Sequence, residues 1–426
     1  MADAERTPRD RPLPILSWAM YDFANTIYSA IVVTAFFPLF MSKLAGRDLY
    51  TGTAQTASMV LAGLLVPVMG ALADRTGRSK RYLFWFTLAC CAATAGIGLA
   101  GNDRFYDAAG GSPAPWGVLA LTLVCFGVAN LAYQASLVFY DCLLPVVASQ
   151  GRQGRVSGLG VGLGYFGVVV ALPIAQMAVG AAGAMRVAFF VAAAAFFISA
   201  LPVFLFVHAP APATATRLTL RVVGEQFRGL GRTLREVVSH RPVLCFFVGN
   251  FLCTDVVNTL IMWTRPYLMK GAAYTEKESL GILLAMSVSA FVLGLAMGWV
   301  TDRLGAKRAL LAAAGSLGAC IVVGGLVHER WVVVPTVLLL GSGGLAGVWV
   351  AGRKFVLDIA PPERAGEFFG LYGVTQKLSV LGCVLFAAVA DWSGSYRAAL
   401  LSLLVPLAVG IAFLAGSQPQ GIRRET

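Results

Sequence analysis

Two apolar stretches of the chain carry a carboxylate followed by an amide at the same spacing. YDFANTIYSAIVVTAFFPLF holds Asp22 and Asn25, and TDVVNTL holds Asp255 and Asn258. A charge at bilayer depth costs at least ~2.5–3.5 kcal/mol on insertion scales, so such groups normally face the interior of a helix bundle. There, a carboxylate can bind a cationic group of a solute, bind a proton or form an internal ion pair.

Further polar side chains lie at helical spacing beside these acids or on stripes of neighbouring segments. The candidate substrate-binding or proton-binding residues are Tyr21, Asp22, Asn25, Tyr28, Asn130, Tyr133, Gln134, Asp255, Asn258, Arg265, Tyr372, Gln376 and Lys377. The aromatic residues among them are equally explained by ordinary packing.

Of the ionisable candidates, Asp255 is expected to lie nearest the middle of the membrane. A carboxylate that is neutral in one gate state and ionised in the other would couple proton movement to solute movement. Arg265 lies roughly 15 Å further along the same helix face by helical rise. The alternative to a binding site is assembly alone, through internal ion pairs such as Asp255 with Arg265 or Asp22 with Lys377.

The composition defines the elements that must position these residues. Of 426 residues, 58% are hydrophobic and 13% charged, with a mean hydropathy of +0.75, whereas a soluble domain carries roughly 25% charged residues. Apolar stretches long enough to span lipid lie at 15–41, 53–73, 80–100, 116–144, 157–180, 186–207, 242–269, 279–300, 307–327, 331–352, 366–390 and 396–416.

These stretches are predicted to be helices, because lipid offers the backbone no hydrogen-bond partner. Their long unbroken apolar runs exclude the alternating pattern of a membrane β-barrel. The sequence therefore predicts an all-α polytopic membrane protein with twelve transmembrane helices in two six-helix bundles. The bundles are expected at 1–208 and 242–426, with a cytoplasmic linker at 209–241.

The net charge of +12 follows the predicted topology. With the amino terminus inside, cytoplasmic segments hold 23 of the 33 Lys and Arg residues and external segments hold 9. This is the positive-inside pattern, so the basic excess does not indicate nucleic-acid binding. We expect an uncleaved amino-terminal tail, both termini in the cytoplasm and a place in a bacterial inner membrane.

The cysteine and histidine positions argue against a metal site or an enzyme. All eight cysteines lie in or beside apolar segments, and the three histidines are scattered. The sequence shows no metal-ligand spacing and no pairing of a nucleophile with a base. We therefore expect no catalytic residue, no metal and no cofactor. The expected partners are a small-molecule substrate and membrane lipid, with the chain acting as a monomer.

An internal repeat relates the two halves at an offset of 228 residues. GALADRTGRSKR aligns with GWVTDRLGAKRA, which matches Gly70 to Gly298 and Asp74 to Asp302. The same register places Asp22 opposite Asn250 rather than opposite Asp255. Aligning the two acids would need a five-residue insertion, a shift of about 7.5 Å along a helix. The two acids therefore require separate explanations.

The twelve segments, the two halves and the loop motif GALADRTGRSK resemble the major facilitator superfamily. Within it, WAMYDFANTIYSAIVVTAFFPLF, GRVSGLGVGLGYFG and GEFFGLYGVT are similar to the vacuole-effluxer family of autophagy-related amino-acid exporters. The resemblance covers essentially the whole chain and implies alternating-access transport.

The resemblance also implies a cytoplasmic gate latch. Asp74 is expected at the positively polarised amino terminus of the eleventh segment, and Asp302 at that of the fifth. Asp141 is expected to pair with Arg78, and Asp358 with Lys307 or Arg308. The gate candidates are Gly70, Asp74, Arg75, Arg78, Asp141, Gly298, Asp302, Arg303 and Asp358. Alternatively, the basic residues only set the topology.

The predicted function is secondary active transport, with export of a small organic solute such as an amino acid and coupling to protons. A zwitterion would suit a cavity that offers both a carboxylate and a cation. One alternative is a multidrug or lipid-like exporter, which predicts a wide apolar cavity and tolerance of Lys377→Ala. Another is a receptor or scaffold with this fold that transports nothing.

Overall fold

A computed structural model describes residues 10–45, 49–100, 114–209, 234–379 and 381–418. Within these ranges, twelve helices are long and apolar enough to cross a membrane, as predicted. They are α1 Pro12–Met41, α2 Ala57–Thr76, α3 Ser79–Ala100, α4 Trp116–Val147, α5 Gln153–Ala182, α6 Val187–Phe206, α7 Arg241–Gly271, α8 Lys277–Leu304, α9 Ala306–Leu326, α10 Arg330–Ile359, α11 Pro362–Ser393 and α12 Tyr396–Gly416.

The largest boundary difference concerns α10. The predicted segment 331–352 ended where Arg353 interrupts the apolar run, but the helix continues to Ile359. The residues after Arg353 are again largely apolar, and Phe355 and Val356 are fully buried. Arg353 therefore lies within the candidate spanning helix, whereas the predicted segment ended before it.

Three spanning helices contain π-helical segments. They are Ser29–Phe36 in α1, Tyr267–Gly271 in α7 and Val337–Gly341 in α10. Pro38, Pro266 and Pro335 lie within two residues of these segments. A proline removes one backbone donor and displaces the carbonyl four residues earlier. Such widened turns occur often at functional sites.

α11 is interrupted in its middle. Its first part ends at Leu378 and its second begins at Leu381. Asp255 and Asn258 of α7 bond to the backbone at this break.

Two main apolar cores correspond to the two halves. The first consists of buried residues from α1 to α6, and the second comes mainly from α7 to α12. Ala62, Val66 and Val138 of the first half pack into the second core. Of the predicted linker, residues 210–233 lie outside the described residues, and residues 234–239 form a short helix.

The halves pack closely where the repeated loop motifs lie, an end of the molecule that we call the motif face. A Cβ atom at Gly70 of α2 would overlap the carbonyl oxygen of Gly366 in α11. At the equivalent contact, a Cβ at Gly158 of α5 would lie 2.8 Å from Cα of Gly298 in α8. Only glycine permits these backbone approaches.

Candidate functional site

A buried ion pair joins the two halves in the interior of the molecule. Arg353 of α10 donates to Asp22 of α1 through Nη1 at 2.7 Å from Oδ2 and through Nη2 at 3.3 Å from Oδ1. Two parallel bonds between a guanidinium and a carboxylate fix orientation as well as charge. Asp22 is 5% exposed, so this is not a surface pair.

The same guanidinium contacts a second acid. Its Nε lies 3.1 Å from Oδ1 of Asp141 in α4, in an ion-pair contact without hydrogen-bond geometry. We call Asp22, Arg353 and Asp141 the triad. The prediction that Asp141 pairs with Arg78 was wrong, because Asp141 contacts Arg353 of α10 instead.

Aromatic rings and one glycine surround the triad. Trp18 stacks on Tyr140 at 4.4 Å between ring centroids, and the Arg353 guanidinium lies 5.5 Å from the Tyr140 ring. A Cβ at Gly160 of α5 would lie 2.7 Å from Oδ2 of Asp22. These groups leave the charges little contact with water, which strengthens the attraction between them.

The other candidates on α1 take different positions. Asn25 donates to Oδ1 of Asp22 at 2.9 Å, so it supports the acid as its spacing predicted. Tyr21 instead hydrogen-bonds Thr87 of α3 at 2.6 Å and stacks on Tyr140. The Tyr28 ring lies 4.8 Å from that of Tyr133 in α4. Tyr21 therefore contributes to packing within the first half.

Two amides of α4 point toward α2. The Asn130 amide donates to the Ser58 hydroxyl at 2.8 Å, and the Gln134 amide lies 3.5 Å from the Met59 sulfur. Both contacts remain within the first half. Neither amide contacts the triad directly.

Asp255 and Asn258 hold the break in α11. Oδ2 of Asp255 accepts the Gly382 backbone N–H at 2.7 Å, and Asn258 donates to the Ser379 carbonyl at 3.0 Å. A carboxylate at a helix amino terminus is stabilised by the helix dipole. Asp255 thus caps the second part of α11; its predicted proton-binding role stays a prediction. Arg265 lies near the carboxyl-terminal end of α7.

Lys377 lies in α11 between α2 and α4. It is 8% exposed, and its Nζ lies 3.4 Å from the Gly373 carbonyl of its own helix. Asp141 attracts it electrostatically. The alternative pairing of Asp22 with Lys377 was wrong, because Asp22 pairs with Arg353. Gln376 contributes its backbone carbonyl, 3.4 Å from the Asn258 amide.

The two repeated aspartates lie where the sequence placed them. Asp74 accepts the backbone N–H groups of Gly366 and Glu367 at 2.8 Å each, at the start of α11. Asp302 accepts those of Gly154 and Arg155 at 2.7 and 2.9 Å, at the start of α5. The predicted placement is confirmed, and the latch function stays a prediction.

The other described gate residues make contacts that the sequence did not predict. Asp358 pairs with Lys354 one turn earlier in α10, so its predicted pairing with Lys307 or Arg308 was wrong. Lys307 donates instead to the carbonyls of Ala415 and Ser417. Arg303 stacks over the Trp299 ring at 3.8 Å.

A cavity of about 320 Å³ lies between the halves, in the part of the molecule away from the motif face. The three π-helical segments contribute to its wall, and most of its other lining side chains are apolar. Tyr165 of α5 lines the cavity and lies within electrostatic range of Asp22. Seven residues, ~10 Å of helix, separate Asp22 from Ser29 at the cavity wall.

Arg353 is the functional candidate that the sequence reading missed. The signal was available, because GRKFVLDI continues the apolar run of α10 beyond the arginine. Lys354 next to it pairs with Asp358 of the same helix, whereas a cation in an apolar run whose partner acids lie on other helices is a candidate for a functional site.

Comparisons with known proteins agree with this architecture. Residues 53–425 match the family described as vacuole effluxer Atg22 like. The chain is 26% identical to an uncharacterized MFS-type transporter of Bacillus subtilis, YxiO, over 94% of this chain and 93% of that protein. It is 24% identical to autophagy-related protein 22-1 of Aspergillus fumigatus over 59% of this chain and 46% of that protein.

Solved structures of low sequence identity share the fold. The human organic anion transporter MFSD10 superposes with a TM-score of 0.74 at 14% identity, covering 95% of this chain and 100% of that one. The major facilitator transporter FucP in its outward conformation gives 0.72 at 13% identity, covering 95% and 98%. The chain therefore has the major facilitator fold.

Proposed function

The chain belongs to the vacuole effluxer Atg22-like family, and from this we propose that it exports a small amphipathic solute of the amino-acid type by alternating access. It is a multi-pass membrane transporter of the major facilitator type. The finer proposal concerns the solute, the direction and the coupling. One observation carries it: the triad crosses between the halves close to an apolar cavity.

The triad must break whenever the halves separate at the motif face. Asp22 and Asp141 belong to the first half, and Arg353 belongs to the second. Leaving these charges unpaired in a low-dielectric interior is costly. A solute that supplies both an ammonium and a carboxylate replaces the lost contacts on both sides, so it lowers the free energy of the separated state.

The arrangement corresponds to a state closed at the motif face. Asp74 and Asp302 bind helix termini across the halves at this face, whereas the cavity lies in the opposite part. The basic excess at the motif face supports a cytoplasmic orientation. In that orientation the cavity would face outward, as expected for an exporter after solute release.

The cavity supports a solute with an apolar side chain. Its wall includes Trp263, whose ring stacks on Phe386 at 4.9 Å, together with Leu260 and Met286. Burial of an aliphatic or aromatic group in such a site lowers the free energy of the bound state. The charged ends of the solute would then reach toward Asp22 and Arg353.

The test is a thermal-shift screen of the purified protein, followed by flux measurements in liposomes. The screen compares leucine with 4-methylpentanoate, which lacks the ammonium, and with 3-methylbutylamine, which lacks the carboxylate. We expect leucine to stabilise the protein most, and labelled leucine to exchange across the liposome membrane. Equal shifts with all three solutes would contradict a zwitterion site. Absence of flux for every solute would favour the receptor or scaffold.

A multidrug or lipid-like exporter is the second candidate, because the cavity wall is mostly apolar. This candidate predicts that a lipophilic cationic dye is transported and that Lys377→Ala is tolerated. The zwitterion proposal predicts that leucine flux falls in Lys377→Ala. Dye and leucine flux measured in the same liposomes distinguish the two.

A further inference from the structure

A second group of polar side chains lies buried near Arg353. Asn250 of α7 is fully buried, and neither atom of its amide has a hydrogen-bond partner among the described residues. The hydroxyl groups of Tyr372 in α11 and Thr254 in α7 are likewise buried without a partner in the described parts of the chain. Thr254 lies one turn from Asn250, on the same helix face.

Gly352 lets two of these groups lie directly against the backbone of α10. A Cβ atom at Gly352 of α10 would lie 2.6 Å from the Tyr372 hydroxyl and 3.2 Å from Oδ1 of Asn250. The amide oxygen and the hydroxyl therefore converge on the backbone of α10 at Gly352, next to Arg353. Gln376 lies near Tyr372 but does not meet hydrogen-bond geometry with its hydroxyl.

Buried polar groups in proteins nearly always have partners, since an unsatisfied donor or acceptor loses its hydration without compensation. The amide of Asn250 needs a donor for its oxygen and an acceptor for its nitrogen. Exchanging its two terminal atoms does not change this requirement, because both are unpartnered. A carboxylate would satisfy only the donors, and an ammonium only the acceptors.

We propose that Asn250 and Tyr372, with Gly352 between them, form an uncharged subsite that binds a hydroxyl or a primary amide of the transported solute. Such groups donate and accept at once, which is what the Asn250 amide requires. Thr254 adds a further hydroxyl one turn away. The proposal rests on the proposed transport function and adds a second polar group to the solute.

The internal repeat accounts for the position of this subsite. The 228-residue offset places Asn250 in α7 where Asp22 lies in α1. One half therefore presents a carboxylate at this position, and the other half presents its neutral counterpart. Tyr372 lies within electrostatic range of Asp141 of the other half. Separation of the halves at the motif face would thus open the subsite to a solute.

The test uses four probes with one apolar body: 4-methylpentan-1-ol, 4-methylpentanamide, 4-methylpentanoate and 4-methylpentylamine. Affinities come from thermal shifts of the full-length protein in nanodiscs. We expect the alcohol and the amide to bind the wild type and to bind Asn250→Leu about tenfold more weakly, as for the loss of one or two hydrogen bonds. For each charged probe, the affinities of the wild type and of Asn250→Leu should agree within about twofold.

A second pair of variants addresses the space rather than the hydrogen bonds. Gly352→Ala places a methyl group in the subsite and should weaken the neutral probes as Asn250→Leu does. Gly343→Ala, on the same helix, would place Cβ 3.4 Å from Leu293, an ordinary contact, and should leave all four probes unchanged. Without a probe, Asn250→Leu should melt no lower than the wild type, because it removes an unsatisfied amide.

The outcomes separate the subsite from the proposed function. Binding of the charged probes alone would overturn the subsite and leave the transport site in place. Equal weakening of all four probes by Asn250→Leu would also overturn it, since the residue would then only position Arg353. A thermal shift with none of the four probes would overturn both proposals.

Discussion

A single guanidinium contacts two carboxylates of the opposite half. Asp22 receives two hydrogen bonds, whereas Asp141 has only an ion-pair contact at 3.1 Å. The triad alone therefore carries one excess negative charge. Lys377, attracted by Asp141, is the nearby cation that offsets it. The balance across four side chains depends on how close the halves lie.

Asp22→Asn should reduce solute exchange in liposomes by about tenfold or more, because Arg353 loses its negatively charged partner on the other half. It should also change the pH dependence of the remaining flux. Asp391→Asn, a change at an exposed acid far from the triad, is the matched control and should transport normally. Full flux with unchanged pH dependence in Asp22→Asn would make Asp22 a structural residue.

Arg353→Gln should destabilise the folded protein by about 3–5 kcal/mol, since two buried carboxylates lose their cation. Adding Asp22→Asn and Asp141→Asn should recover most of that loss, because the uncompensated charges are then gone. Thermal melting of the single and triple variants measures both effects. A triple variant no more stable than Arg353→Gln would show that charge balance is not what Arg353 provides.

At the scale of helices, the same contact occurs twice at the motif face. Glycines bring α2 against α11 and α5 against α8. Across these contacts, Asp74 of α2 accepts two successive N–H groups of α11, and Asp302 of α8 accepts two of α5. The carboxylate compensates the donors that a helix amino terminus leaves free.

Gly70→Ala should favour the state that is open at the motif face. Its methyl group would overlap the Gly366 carbonyl, so α2 and α11 could not approach as they do here. Accessibility of a cysteine placed at the α2–α11 contact to a maleimide reports the change. Gly63→Ala on the same helix meets nothing within 4 Å and should behave as the wild type. Equal labelling of the two variants would contradict the role of Gly70.

Asp255→Ala should destabilise the second part of α11 by about 1 kcal/mol, because a carboxylate that caps its amino terminus is lost. Asp255→Asn keeps an acceptor oxygen and should retain most of the stability. The same two variants test proton coupling in liposomes with a pH gradient. Loss of pH-driven accumulation in Asp255→Asn, with exchange intact, would support a proton-binding role. Intact accumulation would leave capping as its only function.

At the scale of the whole molecule, the structure is two bundles joined closely at one end and separated by a cavity at the other. The cavity is walled by the π-helical segments of α1, α7 and α10. Major facilitator transporters work by rocking two such halves about a central site. The end at which the halves pack closely is the motif face, which carries the repeated motif and its basic residues.

The motif face should be cytoplasmic. In a cysteine-free background, Gly151→Cys at that face should resist a membrane-impermeant maleimide in intact cells, whereas Ser393→Cys at the opposite end should react. Both positions are exposed and lie in or beside loops. The reverse pattern would invert the orientation, and with it the direction of transport that we propose.

Much of this architecture could be predicted from the sequence because it depends on local composition and on repetition. Apolar length defined twelve helices, and the repeat at 228 residues matched Asp74 to Asp302 in equivalent loops of the two halves. Asn25 beside Asp22 followed from helical spacing. Each of these features requires only neighbouring residues or an alignment of the chain with itself.

Only the tertiary structure decided which charges meet. Arg353 lies 331 residues from Asp22 in the chain, and no local pattern indicates that these two residues pair. The break in α11 likewise decided that Asp255 binds a backbone N–H rather than a cation. Ion pairing in a membrane interior depends on distances of a few ångströms between helices remote in sequence. Those distances follow from the packing of the two halves, which the order of residues along one helix does not specify.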